Sequence, residues 1–152
     1  MSSKRVRTLV ELDRETEVGV LAVEFSPAGD AVLWHDGSLA SAPSSESSPA
    51  HITTLDGQTF PASSDPGTML AGWSPDGSAI VYTVRDAQNS DRAGLYVGRP
   101  GESGHLIARP TGDSPLIFAP ILPVRLEWRP NGTLLYTHAG ARSLYAVRLG
   151  EH

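Results

Sequence analysis

Trp73-Ser74-Pro75-Asp76-Gly77 is one of three related stretches in the chain, the others being Phe25-Ser26-Pro27-Ala28-Gly29 and Trp128-Arg129-Pro130-Asn131-Gly132. In each stretch the proline fixes φ at the second turn position and the glycine accepts a positive φ. An apolar run that includes an aromatic residue follows each one. The pattern predicts a tight turn between two antiparallel strands, and its repetition predicts a repeat architecture.

The second stretch lies in the best-defined unit of the chain. Residues 68–73 before the turn are mostly apolar, and residues 79–84 after it are rich in β-branched and aromatic types, as strands are. Two further short apolar runs, 95–97 and 105–108, follow. We therefore predict a four-stranded antiparallel unit over about 68–109.

The first unit, predicted at about 19–56, repeats this order less clearly. Its predicted strands are 20–25, 31–34, a weak third strand at 38–42 and a fourth at 51–55. Segment 43–49 (PSSESSP) is too polar to form a core. We predict a lengthened surface loop there, either a solvated linker or a docking or modification segment.

The third unit, predicted at about 124–149, lacks a fourth strand. Its predicted strands are 124–128, 134–137 and 143–149. Near the N-terminus, segment 4–12 is apolar-patterned and has no sheet of its own. Along the repeat it takes the place of the missing strand, so we predict that the repeat is circularly permuted and that segment 4–12 completes the last unit.

The pattern Trp73-Ser74-Pro75-Asp76-Gly77, with Ile80, Tyr82 and the run 95–97, resembles the WD-like repeat of TolB-type β-propellers. The departures from that repeat are Phe25 and Ala28 in the first unit and Arg129 and Asn131 in the third. The aromatics recur at intervals of roughly 50 residues, near the ~40 to 50 residues of a propeller blade. The resemblance implies an all-β propeller domain over 1–152, with three four-stranded blades and a place in a closed ring of, most often, six. It carries no catalytic residue onto this chain.

Three blades are too few for an ordinary ring, since propellers typically have ~4 to 8. Two faces would stay open, and large exposed apolar patches are rare on soluble monomers. We expect two copies to close one six-bladed ring, with segment 4–12 of each copy completing the last blade of the other. A strained three-bladed ring, completion by a different protein and a fragment of a longer propeller are the other interpretations.

The composition narrows the classes of partner. The chain has 152 residues, a net charge of -5, 15 Gly, 12 Pro and no Cys. The negative charge gives no reason to expect nucleic acid, whose binding needs Lys and Arg to neutralise phosphates. The lack of Cys removes disulfides and thiolate chemistry. No signal-peptide core and no apolar stretch of ~20 residues occurs, so we expect no membrane contact and, unless the chain has been trimmed at either end, a cytoplasmic location.

Two carboxylates and two histidines are the candidates for a metal or ligand site. Glu24 and Glu127 precede the aromatic of the strand that would line a propeller channel, where carboxylates could hold a cation. Pairing with a nearby base such as Arg125, or plain solvation, is the simpler interpretation of both residues. His35 and His138 end equivalent strands, but no HxH or HExxH spacing accompanies them. We therefore predict no cofactor, with Glu24 and Glu127 as weak metal candidates only.

No catalytic constellation accompanies the architectural motifs, since no third group fixes an acid or base role and no nucleophile elbow occurs. Binding is expected in the loops at one end of the sheets. The predicted binding residues are Arg85, Asp86, Asp91, Arg92, Ile117, Phe118 and Ile121. The three apolar residues could equally plug the ring or pack under the next blade, and the four charged residues could simply form a solvated turn. We predict a non-enzymatic scaffold module that forms a homodimer and binds a protein partner through this loop face. Two other hypotheses stay open: a metal- or ligand-binding sensor or enzyme that uses the channel, and a half-propeller or fragment with a structural role.

Overall fold

A computed structural model describes residues 8–9, 22–35, 50–84, 90–109, 126–136 and 145–149. They form three antiparallel β-sheets, which confirms the predicted all-β class. Sheet 1 contains β1 (Ala22–Phe25), β2 (Ala31–His35), β3 (Ala50–Thr54) and β4 (Thr59–Pro61). Sheet 2 contains β5 (Thr68–Trp73), β6 (Ile80–Val84), β7 (Gly94–Gly98) and β8 (His105–Ala108), and sheet 3 contains β9 (Leu126–Trp128), β10 (Thr133–Tyr136) and β11 (Tyr145–Arg148). The described part of the chain has no helix of the length and apolar character that a membrane crossing requires.

The three predicted turns are confirmed, and they share one geometry. In each, the glycine N–H donates to the carbonyl three residues earlier, over 2.8 Å at Gly29, 2.9 Å at Gly77 and 3.0 Å at Gly132. Their φ angles are 72°, 76° and 75°. Residues with a Cβ adopt this conformation only at a cost, so the glycines are what the turn requires.

Hydroxyl and carboxylate groups brace the first two turns. Asp76 accepts hydrogen bonds from the Ser74 hydroxyl at 2.6 Å and from the N–H and hydroxyl of Ser78 at 3.0 and 2.8 Å. These donors, Ser74 foremost, lower the pKa of Asp76 to about 2. In the first turn Asp30 accepts from the Ser26 hydroxyl at 2.6 Å. The carboxylate that accepts the serine hydroxyl comes two residues after the serine in the second turn and four residues after it in the first. The first turn therefore keeps this contact although Ala28 stands at the position of Asp76.

Sheet 2 has its four strands where the sequence predicted them, but in sheet 1 the prediction after β2 was wrong. Residues 51–55 were expected to form the fourth strand, whereas β3 pairs directly with β2 and is the third. The fourth strand is β4, which pairs with β3 across a turn that contains Gly57 at a φ of 98°. The predicted strand at 38–42 and the predicted loop at 43–49 lie outside the described residues.

Sheet 3 contains the three strands predicted for it, in the order β11-β10-β9. Segment 4–12 was expected to add a fourth. Of that segment only Thr8 and Leu9 are described, and neither lies in a strand. The completion of sheet 3 therefore stays a prediction.

Two apolar clusters place sheet 2 between the other sheets. The first joins sheets 1 and 2 and includes Leu33, Ile52, Trp73, Ile80 and Tyr82. The second joins sheets 2 and 3 and includes Val81, Leu95, Val97, Trp128 and Leu134. Because consecutive residues of a strand point to opposite faces, Ile80 and Val81 contact different neighbouring sheets. Sheet 2 is thus buried on both faces.

A polar network fixes the connection between sheets 1 and 2. The hydroxyl of the fully buried Tyr82 donates to the Asp65 carboxylate and accepts the Gly104 N–H at 2.7 Å. The Gly104 N–H also lies 3.1 Å from Asp65 Oδ2. Burial, with Asp65 as a further cause, raises the pKa of Tyr82 well above its ordinary value. The segment after β4 is thereby tied to the residues just before β8.

Candidate functional site

The first strand of sheet 2 has a free edge, and its backbone donors point there. Among the described strands, β5 pairs with β6 alone. The Ser74 N–H donates toward β6, to the Ala79 carbonyl at 2.8 Å. Because N–H groups alternate between the two sides of an antiparallel strand, those of Ala71 and Trp73 point away from β6. An unpaired row of this kind is where another strand or side chain can bind.

Two side chains of sheet 1 accept these N–H groups. His35 Nε2 accepts the Ala71 N–H over 3.1 Å, and the Glu24 carboxylate accepts the Trp73 N–H. His35 is buried. Glu24 as a whole is exposed, but its carboxylate lies against β5, where Oε2 would be 3.6 Å from a Cβ placed on Gly72. Desolvation there raises the pKa of Glu24, and the Trp73 N–H partly offsets the rise.

Glu24, Glu127 and His35 each contact another group of the protein. Glu24 and His35 each accept a backbone donor of β5. Glu127 Oε1 lies 3.0 Å from Arg129 Nη2, with both side chains more than half exposed. Arg125, a base near Glu127 in the sequence, lies outside the described residues. Within the described ranges no three His, Asp or Glu side chains are grouped as a metal ion would need.

The two other described histidines, His51 and His105, lie in different surroundings. His51 stacks on Trp34 with the ring centres 4.6 Å apart. His105 lines an open groove of about 410 Å³ between the turn after β5 and the turn after β9, together with Asp76, Trp128 and Arg129. His138 lies outside the described residues.

The equivalent aromatics of the three repeats differ in their surroundings. Trp73 packs against sheet 1 and Trp128 packs against sheet 2. Phe25, at the same position in sheet 1, is 63% exposed, and Val23 is 60% exposed. In β2, Leu33 packs toward sheet 2, so Val32 and Trp34 on either side of it face away from sheet 2. Their partners in β1, Phe25 and Val23, lie on that same outward face. We call Val23 and Phe25 the open β1 edge.

The open β1 edge stands out because exposed apolar side chains are few elsewhere. Of the large apolar residues that the structure describes, only Val23, Phe25 and Leu55 are exposed. Val32 and Trp34, farther along the same face, are buried. The exposure is therefore concentrated at the β1 margin of sheet 1, which no other described strand joins and where a neighbouring sheet would complete the pattern seen at Trp73 and Trp128.

Most of the predicted loop-face residues fall outside the described part of the chain, namely Arg85, Asp86, Ile117, Phe118 and Ile121. Asp91 and Arg92 lie in a 3-10 turn, Ser90–Arg92, just before β7. The Asp91 carbonyl accepts Arg109 Nη1 at 2.6 Å, and the Arg92 carbonyl accepts the Tyr96 hydroxyl at 2.8 Å. The turn is thus held in place, while the Asp91 residue stays exposed.

The sequence did not predict the contact of His35 with β5 or the exposure of Val23. The repeat contained a signal for the last of these, because Val23 belongs to the first of the three predicted units, which has no preceding unit among them to cover that face. No signal in the sequence indicated that His35 would accept a backbone N–H from sheet 2, because that contact depends on how two sheets are placed.

No family model matches the chain, and neither the curated proteins nor the solved structures contain a significant match.

Proposed function

We propose that this chain is a non-enzymatic β-propeller interaction module, and that two copies close one six-bladed ring. The ring then presents its loop face to a protein partner. The observation that carries the proposal is the environment of the three equivalent aromatics: two pack on the preceding sheet, and Phe25 is 63% exposed.

The packing within the chain supports this assembly. Sheet 2 covers sheet 1 with the face that bears its turn aromatic, and sheet 3 covers sheet 2 in the same way. A sheet from a second copy that followed this rule would lie against sheet 3 and carry Phe25 into the contact. Of the multiples of three, only six lies within the ~4 to 8 blades that rings typically have. Two copies related by a two-fold axis satisfy that count.

The open β1 edge also supplies a driving force for association. Fully burying a Phe or Val side chain stabilises by about 1.5 to 3 kcal/mol. Each ring has two equivalent junctions, so Val23 and Phe25 are buried twice. A partner at the same place would also cover the free edge of β1, which otherwise resembles an edge strand open to other chains.

The proposal is tested by replacing Phe25. Phe25→Asp puts a charge into the junction and should shift the native mass from dimer to monomer in sedimentation equilibrium. Gln58→Asp is the matched control, because it adds the same charge at an exposed turn between β3 and β4 in the same sheet. A wild-type chain that stays monomeric at micromolar concentration, or a Phe25→Asp dimer as stable as the control, would overturn the proposal.

A further inference from the structure

The carboxylate of Glu24 occupies a repeat position that recurs once more, at Glu127. Each lies immediately before its turn aromatic, Phe25 or Trp128, and the residue at that position in sheet 2 is Gly72. Sheets 1 and 3 therefore carry a carboxylate where sheet 2 carries none. Glu24 binds the first strand of the sheet that follows its own. Glu127 is therefore the candidate to bind the first strand of a sheet that follows sheet 3.

The register shows that the two side chains point to equivalent faces. Glu24 pairs with Leu33, which packs in the cluster between sheets 1 and 2. Glu127 pairs with Leu135 in β10. The preceding residue of β10, Leu134, is buried against sheet 2. Since neighbouring residues alternate between faces, Glu127 lies on the sheet 3 face that points away from sheet 2. Glu127 is exposed, so its carboxylate is accessible from that side.

The group that Glu127 would meet is defined by the same repeat. Glu24 accepts the N–H of Trp73, and the residue equivalent to Trp73 in sheet 1 is Phe25. The Ser26 N–H donates toward β2, to the Ala31 carbonyl at 2.9 Å, so the N–H of Phe25 points to the free side of β1. This donor belongs to the open β1 edge.

We propose that Glu127 of one copy accepts the backbone N–H of Phe25 of a second copy, as Glu24 accepts that of Trp73 within the chain. This inference rests on the proposed six-bladed dimer and names the polar contact that sets its register. A carboxylate that accepts a backbone N–H makes a charge-assisted bond, which is stronger than a neutral one. Two such bonds form per dimer, one at each junction.

Steric and charge considerations are compatible with the contact. At the junction between two copies, Glu24 of the second copy stands where Gly72 stands within the chain. A Cβ at that position fits, because one built on Gly72 lies 3.6 Å from the Glu24 carboxylate oxygen, an ordinary contact distance. The side chain of Glu24 itself points to the opposite face, toward its own sheet 2. Arg129, 3.0 Å from Glu127, supplies a positive charge beside the new carboxylate. The other two repeats have serine at that position.

The test compares dimer dissociation constants by sedimentation equilibrium. Glu127→Ala removes the acceptor at both junctions and should weaken the dimer about tenfold or more. Glu127→Gln keeps an acceptor oxygen and should weaken it less. Glu102→Ala, which removes an exposed carboxylate in the turn between β7 and β8, is the matched control and should leave the dissociation constant unchanged.

Amide hydrogen exchange at Phe25 supplies an independent measurement. In the wild-type dimer this N–H should be protected, and in the Glu127→Ala dimer, at concentrations where it still forms, the protection should be lost. A wild-type dimer in which the Phe25 amide is unprotected, or in which Glu127→Ala equals Glu102→Ala, overturns the Glu127 contact and leaves the dimer standing. A monomeric wild type overturns both. If Glu127→Ala does not fold, Glu127→Gln and the wild-type exchange data decide.

Discussion

Replacing Tyr82 by Phe tests the polar network that ties sheet 1 to sheet 2. The ring is fully buried and is retained, so the change removes only the hydroxyl, which donates to Asp65 and accepts the Gly104 N–H at 2.7 Å. The Gly104 N–H keeps a second acceptor in Asp65 at 3.1 Å. The change therefore removes a hydrogen bond to a carboxylate and one of the two acceptors of the Gly104 N–H, and it leaves no buried backbone donor unpaired.

A hydrogen bond to a charged group contributes about 1.5 to 3 kcal/mol, so we expect Tyr82→Phe to lower the free energy of unfolding by about 2 kcal/mol. For a chain of this size that corresponds to a fall in Tm of about 4 to 8 °C. Urea unfolding at fixed protein concentration measures it, with an unchanged m-value showing that the folded state is otherwise the same.

Tyr96→Phe is the matched control. The two rings stack with centres 5.7 Å apart, but the Tyr96 hydroxyl donates to a backbone carbonyl, that of Arg92, at 2.8 Å. A neutral bond of this kind contributes about 0.5 to 1.5 kcal/mol. The account is refuted if Tyr82→Phe costs no more than Tyr96→Phe.

The raised pKa of Tyr82 adds a pH signature to the same experiment. Its folded-state pKa lies above the ordinary value of 10.0, so its contribution is complete below pH 10 and is lost as the pH rises above it. The difference in stability between the wild type and Tyr82→Phe should therefore shrink above pH 10. A difference that stays constant up to pH 11 contradicts the assignment.

Three further predictions concern the β5 edge and the turns. Glu24→Gln keeps an acceptor for the Trp73 N–H and removes a desolvated charge. Because the pKa of Glu24 is raised from 4.5, urea unfolding should show the wild type gaining stability relative to this variant as the pH falls from 7 to 4. A stability difference that does not change with pH would contradict this prediction. The pKa of Asp76 is lowered from 3.8 to about 2, so its contribution to stability is present above pH 3.8 and is lost as the pH falls toward 2. The difference in unfolding free energy between the wild type and Asp76→Asn should therefore shrink over that range. A difference that is independent of pH would count against the hydrogen bonds of the turn. Gly29→Ala should lower the free energy of unfolding by about 1 to 2 kcal/mol because of the φ of 72° alone, since no heavy atom lies within 4 Å of the added Cβ. An unchanged free energy of unfolding in the same assay would refute this prediction.

The sequence predicted most accurately what local chemistry determines. The turns at Gly29, Gly77 and Gly132 follow from proline, glycine and their neighbours, and the strands of sheet 2 follow from dense β-branched and aromatic runs. The third and fourth strands of sheet 1 were misassigned because residues 38–42 were given a strand on weak evidence. The Asp56-Gly57 pair is a hairpin signal that would have placed β3 and β4 correctly.

The candidate site was less accessible to sequence reasoning because it depends on contacts between sheets. That Glu24 and Glu127 share a position was visible in the repeat, but the N–H that Glu24 accepts belongs to Trp73, far along the chain. The function of His35 likewise requires the placement of two sheets. Short polar strands such as β4, which ends in Pro61, carry little apolar signal of their own.

The native mass of the chain in solution is the measurement that bears most directly on the six-bladed dimer. Sedimentation equilibrium over the micromolar range should give twice the 16.1 kDa of the single chain, with dissociation on dilution. A mass of one chain throughout that range would contradict the account, since the open β1 edge would then have no second copy to cover it.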